Sequence, residues 1–322
     1  MPILPDTIRY GSRLRIVCCR LLAAVATGWI LMYPSEYLFW SALPDDYNLP
    51  TFLATLTAYT LTGRILVCIL QFCRVDNLSG LFLAGAIYGW TVEGVVVGTM
   101  YDDFPINLIW TGVAWHGLFS VMLVWLFLRK AALWSWPRYA AALVAVGILF
   151  GIWSSFWPNE KPEFPTAWGV LVQGLMASSG FILAQVIYDR APAGSFKVTR
   201  TEAGLLGLLV LVMFGVQASA RPSPILAFYP IFACTALALL LLGRGKGQLI
   251  LEVVVQSRAS LGRRAALLTI PVAVAASFAT TRWAVPGFPT NQVFYFGTIA
   301  AGTVFLAAAV AMNLVSKFRR GT

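Results

Sequence analysis

Histidine occurs once and cysteine five times in 322 residues, which excludes a Cys/His metal framework of the usual spacing. Cys18, Cys19, Cys68, Cys73 and Cys234 fall in or near apolar runs and read as small packing residues. Charge is scarce as well, at 11% of residues against 59% hydrophobic. The net charge of +10 forms no extended basic face, because Lys and Arg sit in short loops between apolar runs, so no nucleic-acid partner is expected. The sequence has no soluble domain, no low-complexity tract and no clear internal repeat.

What remains is apolar sequence in ten runs: residues 16–39, 50–73, 78–100, 107–128, 139–157, 166–188, 203–220, 224–242, 265–283 and 292–315. Crossing a bilayer takes ~20 residues of helix. The expected fold is therefore all-α, one polytopic membrane domain over 1–322 with about ten transmembrane helices and the lipid bilayer as its main partner. Met1 to Tyr33 is read as a retained first helix, since no small-residue cleavage site follows it.

Charge in the loops tests the count. Arg9, Arg13 and Arg15, then Arg74, then Arg129, Lys130 and Arg138, then Arg190, Lys197 and Arg200 fall on one side. Arg244, Lys246, Arg258, Arg263, Arg264, Lys317, Arg319 and Arg320 continue that side. The other side holds Asp45, Asp46, Asp102, Asp103, Glu160 and Glu163, with only Lys161, Arg221 and Arg282. Basic loops mark the cytoplasmic face, so both termini are expected there, in the cytoplasmic membrane of a bacterium. Trp29, Trp40, Trp110, Trp134, Trp136, Trp153, Trp157, Trp168 and Trp283 near the ends of runs read as an interfacial belt. Residues 243–264 read as an amphipathic helix on the cytoplasmic surface.

Ten spans divide into five and five, a count compatible with inverted halves. The halves differ in character: 1–160 carries most of the intramembrane ionisable residues, and 161–322 is mostly Ala, Leu, Val and Gly, a surface suited to membrane-protein partners.

A carboxylate inside a spanning helix is costly unless paired, protonated or hydrated, which makes it a functional candidate. Gly85, Gly89 and Glu93 recur every fourth residue, so small residues admit a neighbouring helix on the face that carries the acid. Counted at the helical rise, Glu93 lies about 21 Å from Ser79, and His116 about 13 Å from Asn107 on the next run. The two can meet across the hairpin. Asp102 and Asp103 in the turn and Glu36 at the end of the first run lie on the same side, which makes an acidic pocket there. Arg64 is expected either to snorkel to the interface or to pair with Glu93. Gln71, Gln173, Gln185 and Gln217 line a path or join helices, and Arg221 and Arg282 balance the outer acids.

The stretch from Pro34 to Trp40 resembles the P-x-E-[ED] motif of small membrane lycopene cyclases, in which acids protonate a polyene, but has Tyr37 where the motif has an acid. In size and helix number the chain is similar to drug/metabolite-type transporters, without a shared motif.

Three functions are expected, in this order. The first is a small-solute carrier, proton- or cation-coupled through Glu93. The second is a membrane-embedded enzyme acting on a lipid or isoprenoid, with Glu93 as general acid or base, His116 as its partner and Glu36 or the Asp102–Asp103 pair assisting. The third is a subunit or assembly factor of a membrane complex. Substrate and cofactor are not legible.

Overall fold

The computed structural model describes residues 6–40, 43, 47–155 and 165–320. Among them the regular structure is helical, without strands. Ten helices among the described residues are long and apolar enough to span a membrane: α1 (Leu14–Leu38), α2 (Leu49–Phe72), α3 (Leu78–Val97), α4 (Leu108–Ala131), α5 (Trp136–Ser154), α6 (Ala167–Arg190), α7 (Ala193–Ala220), α8 (Pro224–Leu242), α9 (Leu261–Ala284) and α10 (Thr290–Val315). All ten agree with the apolar runs. Helices meet the demand of the bilayer core, because every backbone group is satisfied within its own segment.

Local sequence sets the ends. The Asn48 and Asn77 side chains accept from the backbone N–H of Thr51 and Gly80 and so start α2 and α3. Thr199 and Glu202 form a reciprocal capping box where the α-helical part of α7 begins, at Arg200. α3 stops at Val97, three residues before the expected Met100, because Gly98 takes a left-handed φ of 91° and turns the chain.

α3 and α4 form the centre, with 83% and 72% of their apolar windows buried, whereas α7 is peripheral at 6%. Their close approach is written in glycine. A Cβ on Gly85 would lie 3.0 Å from Gly117 Cα, and one on Gly89 would collide with the Gly112 carbonyl. Gly85 and Gly89 are four apart on a regular helical turn; Gly112 and Gly117 are five apart, on a stretch of α4 wound in π register from Leu108 to Phe127. Each small stripe thus follows the winding of its own helix, and the two stripes mesh.

α1 packs on α2 and α3 on α4, while α9 packs on α5 and α6, and α10 on α3 and α4. The second half has no comparably packed pairing of α6 with α7 or of α8 with α9.

Two expectations are corrected. Residues 243–264 do not make one interfacial helix. Ile250–Gln256 is a separate short helix, and α9 already begins at Leu261. Ile250, Leu251, Val254 and Val255 are buried against protein, because Ile250 N–H bonds the Val75 carbonyl and Arg129 Nε bonds the Val254 carbonyl. Trp110 and Trp153 do not join the belt either. Both are buried, with ring centroids 5.3 Å apart, beside Phe39 and Trp115. Trp168 and Trp283, by contrast, are exposed near helix ends. Asp45, Asp46, Trp157, Glu160, Lys161 and Glu163 lie outside the described residues.

Candidate functional site

Three segments of π winding carry the central groups: Tyr33–Leu38 with Ser35 and Glu36, Val92–Val97 with Glu93, and Leu108–Phe127 with His116. π turns are rare and concentrate at functional sites, because the widened turn re-aims side chains and frees backbone groups.

His116 packs over Gly89, one turn before Glu93, and its Nε2 lies 2.7 Å from Glu93 Oε1. The other Glu93 oxygen accepts from the Thr99 hydroxyl. Thr99 is held in turn by Asn107, whose side-chain amide donates to the Thr99 carbonyl at 3.0 Å. On the far side of the ring, Nδ1 lies 3.3 Å from Ser35 Oγ, which is 2.8 Å from Ser120 Oγ. With the proton on Nε2, the imidazole donates to Glu93 and accepts from Ser35, so both ring nitrogens are used and the ring orientation is fixed. Glu36 has a different partner, the Tyr59 hydroxyl, which donates to Oε1 at 2.7 Å.

Ser35, Glu36, Tyr59, Glu93, Thr99 and His116 all line one cavity of about 710 Å³. Asp102 and Asp103, both exposed, are at its rim. Its walls are aromatic: Phe39, Trp40, Trp110 and Trp115, with Tyr295 of α10 the one contribution from the second half among the described residues. Asp102 meets Arg221 at 3.2 Å, both more than half exposed, so the pair is solvated and weak. Between α3 and α4, burial pushes the Tyr101 phenol up to about 12, so it stays a neutral donor to the Gly94 carbonyl at 2.9 Å. Among the described residues no three His, Cys, Asp or Glu side chains converge as a metal set.

Five of the six expected site residues, Glu36, Glu93, Asp102, Asp103 and His116, therefore surround one volume. Arg64 does not. It neither snorkels nor meets Glu93; it is buried at the other end of α2, where Nε donates to Glu202 at 2.6 Å and Nη2 to the Lys197 carbonyl at 2.7 Å. Arg20 binds the same carboxylate. A second set there was not anticipated: Asp189 receives Arg129 at 2.7 Å and Arg264, bidentate, at 2.6 and 2.8 Å. The glutamines join segments. Gln71 bonds Val198, Gln185 bonds Arg129 and Gln217 bonds the Val96 carbonyl.

Sequence reasoning also missed Ser35, Tyr59 and Thr99. Tyr59 left one signal, a hydroxyl within an apolar span that needs a partner. No protein-family model, curated protein or solved structure matches this chain.

Proposed function

We propose that this chain is a membrane-embedded enzyme acting by acid–base chemistry on a lipid or isoprenoid. The reading is carried by one observation: Glu36, Glu93 and His116 surround a single cavity built almost wholly within α1 to α4. The Glu93–His116 pair is the proton acceptor, because imidazole and carboxylate share the added charge while Ser35 holds the ring. Glu36, which meets a neutral phenol instead of a base, is the proton donor. A substrate between them gains a proton at one atom and loses one at another, and the proton count closes without a co-reactant. Ala54 and Val97 line the cavity and are exposed on α2 and α3, which provides a lateral path from lipid.

The test is the membrane lipid profile of cells lacking the protein, complemented with wild type or Glu93→Gln. Accumulation of one lipid that only wild type reverses supports the reading; an unchanged profile overturns it.

The carrier reading keeps one observation in its favour. The cavity opens at the Asp102 end, while ion pairs close the bundle at the end of Asp189 and Glu202. Inverted five-helix halves would serve it, but among the described residues the packing of α1 with α2 and of α3 with α4 has no comparably close counterpart in the second half. Glu93-dependent, pH-driven flux in proteoliposomes would move the assignment to a carrier. Loss of a complex without loss of turnover or flux would move it to an assembly role. In all three readings we place both termini in the cytoplasm, on the basic side of a bacterial cytoplasmic membrane.

A further inference from the structure

Of the ten described spanning helices α7 is the most peripheral, with 6% of its apolar window buried. Polar contacts at both ends nevertheless hold it to the bundle. At its start Glu202 receives Arg20 and Arg64. At its end Gln217 and Arg221 reach the turn that closes α3, just beyond Glu93. The last carbonyls of a helix have no partner within it and must find one elsewhere. In α3 side chains supply the donors: the Tyr101 hydroxyl to Gly94 at 2.9 Å, Gln217 Nε2 to Val96 at 3.3 Å and Arg221 Nη1 to Gly98 at 3.3 Å. The approach of α7 is close. A Cβ on Gly98 would lie 3.1 Å from Gln217 Oε1 and 3.3 Å from Arg221 Nη1, so glycine serves this contact as well as the positive φ.

These contacts bracket the groups that hold Glu93. The Glu93 carbonyl accepts the Gly98 N–H at 2.8 Å across the π turn. Thr99, the residue after Gly98, gives its hydroxyl to the Glu93 carboxylate, whose other oxygen meets His116. A shift of Val96 and Gly98 therefore carries Thr99 with it, and the carboxylate follows. Neither Gln217 nor Arg221 lines the cavity, so both act through the backbone of α3. Resting on the enzyme reading, we infer that Gln217 is a positioning residue for the proton acceptor: with Arg221 it fixes the turn from Val96 to Thr99 and so sets the orientation of Glu93 toward His116.

His116 is the chain's single histidine, which gives the site its own spectroscopic probe. The test is the nitrogen NMR spectrum of the full chain in nanodiscs, isotope-labelled at histidine, because protonated and bare ring nitrogens give separate signals that follow the hydrogen bond on each. Glu93→Gln calibrates the loss of the carboxylate. Gln217→Met keeps the length of the side chain and removes the donor. Its Tm is expected to stay near wild type, while the Nε2 signal moves part of the way toward that of Glu93→Gln or splits in two. Ser219→Ala, whose hydroxyl bonds the Val216 carbonyl of its own helix, leaves the wild-type spectrum. With the lipid substrate in hand, Gln217→Met lowers kcat about fivefold, the scale of one net hydrogen bond, and leaves KM unchanged.

A wild-type Nε2 signal in Gln217→Met overturns the inference. So does a shift of equal size in Ser219→Ala, which would trace it to general loosening of α7, and so does a change in KM alone, which would place Gln217 in substrate binding. If Gln217→Met does not fold, Arg221→Ala, at a position more than half exposed, decides: a shifted Nε2 signal upholds the inference and a wild-type one overturns it. The spectrum needs no substrate, so this inference and the enzyme reading fail separately. A shifted signal without lipid turnover keeps the positioning role and removes the enzyme, whereas turnover with a wild-type signal in Gln217→Met keeps the enzyme and removes the role.

Discussion

At one end of the bundle Asp189 lies between Arg129 and Arg264, and Glu202 between Arg20 and Arg64. At the other, Glu36 and Glu93 face a cavity whose lining, among the described residues, holds neither Lys nor Arg. The ingredient is the same, a carboxylate within an apolar bundle, but its surroundings give it opposite uses. A carboxylate enclosed by two guanidinium groups has its lone pairs occupied and its charge neutralised, so it ties helices together: α4 to α6 and α9, and α1 to α2 and α7. A carboxylate bonded to phenol, hydroxyl or imidazole beside an open volume retains capacity for a proton or a ligand. Burial alone therefore does not mark a functional acid; what matters is whether its partners exhaust it.

Substitutions at the two ends should separate stability from activity. The largest effect is expected at the enclosed end. Arg129→Ala leaves Asp189 with one partner and removes bonds to Gln185, Val254 and Ser257, and breaking such a buried pair costs about 3–5 kcal/mol. Thermal unfolding in detergent should show a large drop in Tm or a loss of folded protein. Glu93→Gln should do the reverse, holding Tm close to wild type while lowering turnover of the lipid identified by profiling at least about a hundredfold, the usual lower bound for a lost acid–base group. A Tm drop like that of Arg129→Ala would make Glu93 architectural and erase the contrast. Ser35→Ala loosens the imidazole without removing it, and about tenfold in turnover is expected, at the lower end for loss of a group that orients a functional histidine. Kinetics in which KM changes and kcat does not would place Ser35 in binding instead. The smallest effect belongs to the exposed rim pair: Arg221→Ala, which frees Asp102, should change stability by less than about 1 kcal/mol.

The cavity was legible where the argument needed only counting along helices. The Gly85–Gly89–Glu93 stripe and the depths of Glu93 and His116 place the two groups face to face, and they meet at 2.7 Å. Ten spans follow from run length and loop charge. Other features had no local signal. π winding is set by packing between helices, so nothing in the sequence marks Leu108–Phe127 as different from an ordinary helix. Arg64 and Glu202 stand 138 residues apart, and Glu202 reads locally as half of a capping box. Asp189 was hidden by its basic neighbours, because topology is read from Lys and Arg and acids add little to it. Trp110 and Trp153 read as belt residues from their positions alone; only the fold shows that α1, α4 and α5 converge there to build the cavity wall and its backing.

The difference between the two ends is tested most directly by incubating the protein in nanodiscs with a total extract of its native membrane lipids, in water labelled with deuterium and heavy oxygen. Mass spectrometry then follows label uptake for wild type and for Glu93→Gln of equal Tm. Label entering one lipid species with wild type and not with Glu93→Gln is the expected result. No uptake into any lipid, or equal uptake with both proteins, would contradict acid–base chemistry at Glu93 and leave its pairing with His116 as another tie between helices.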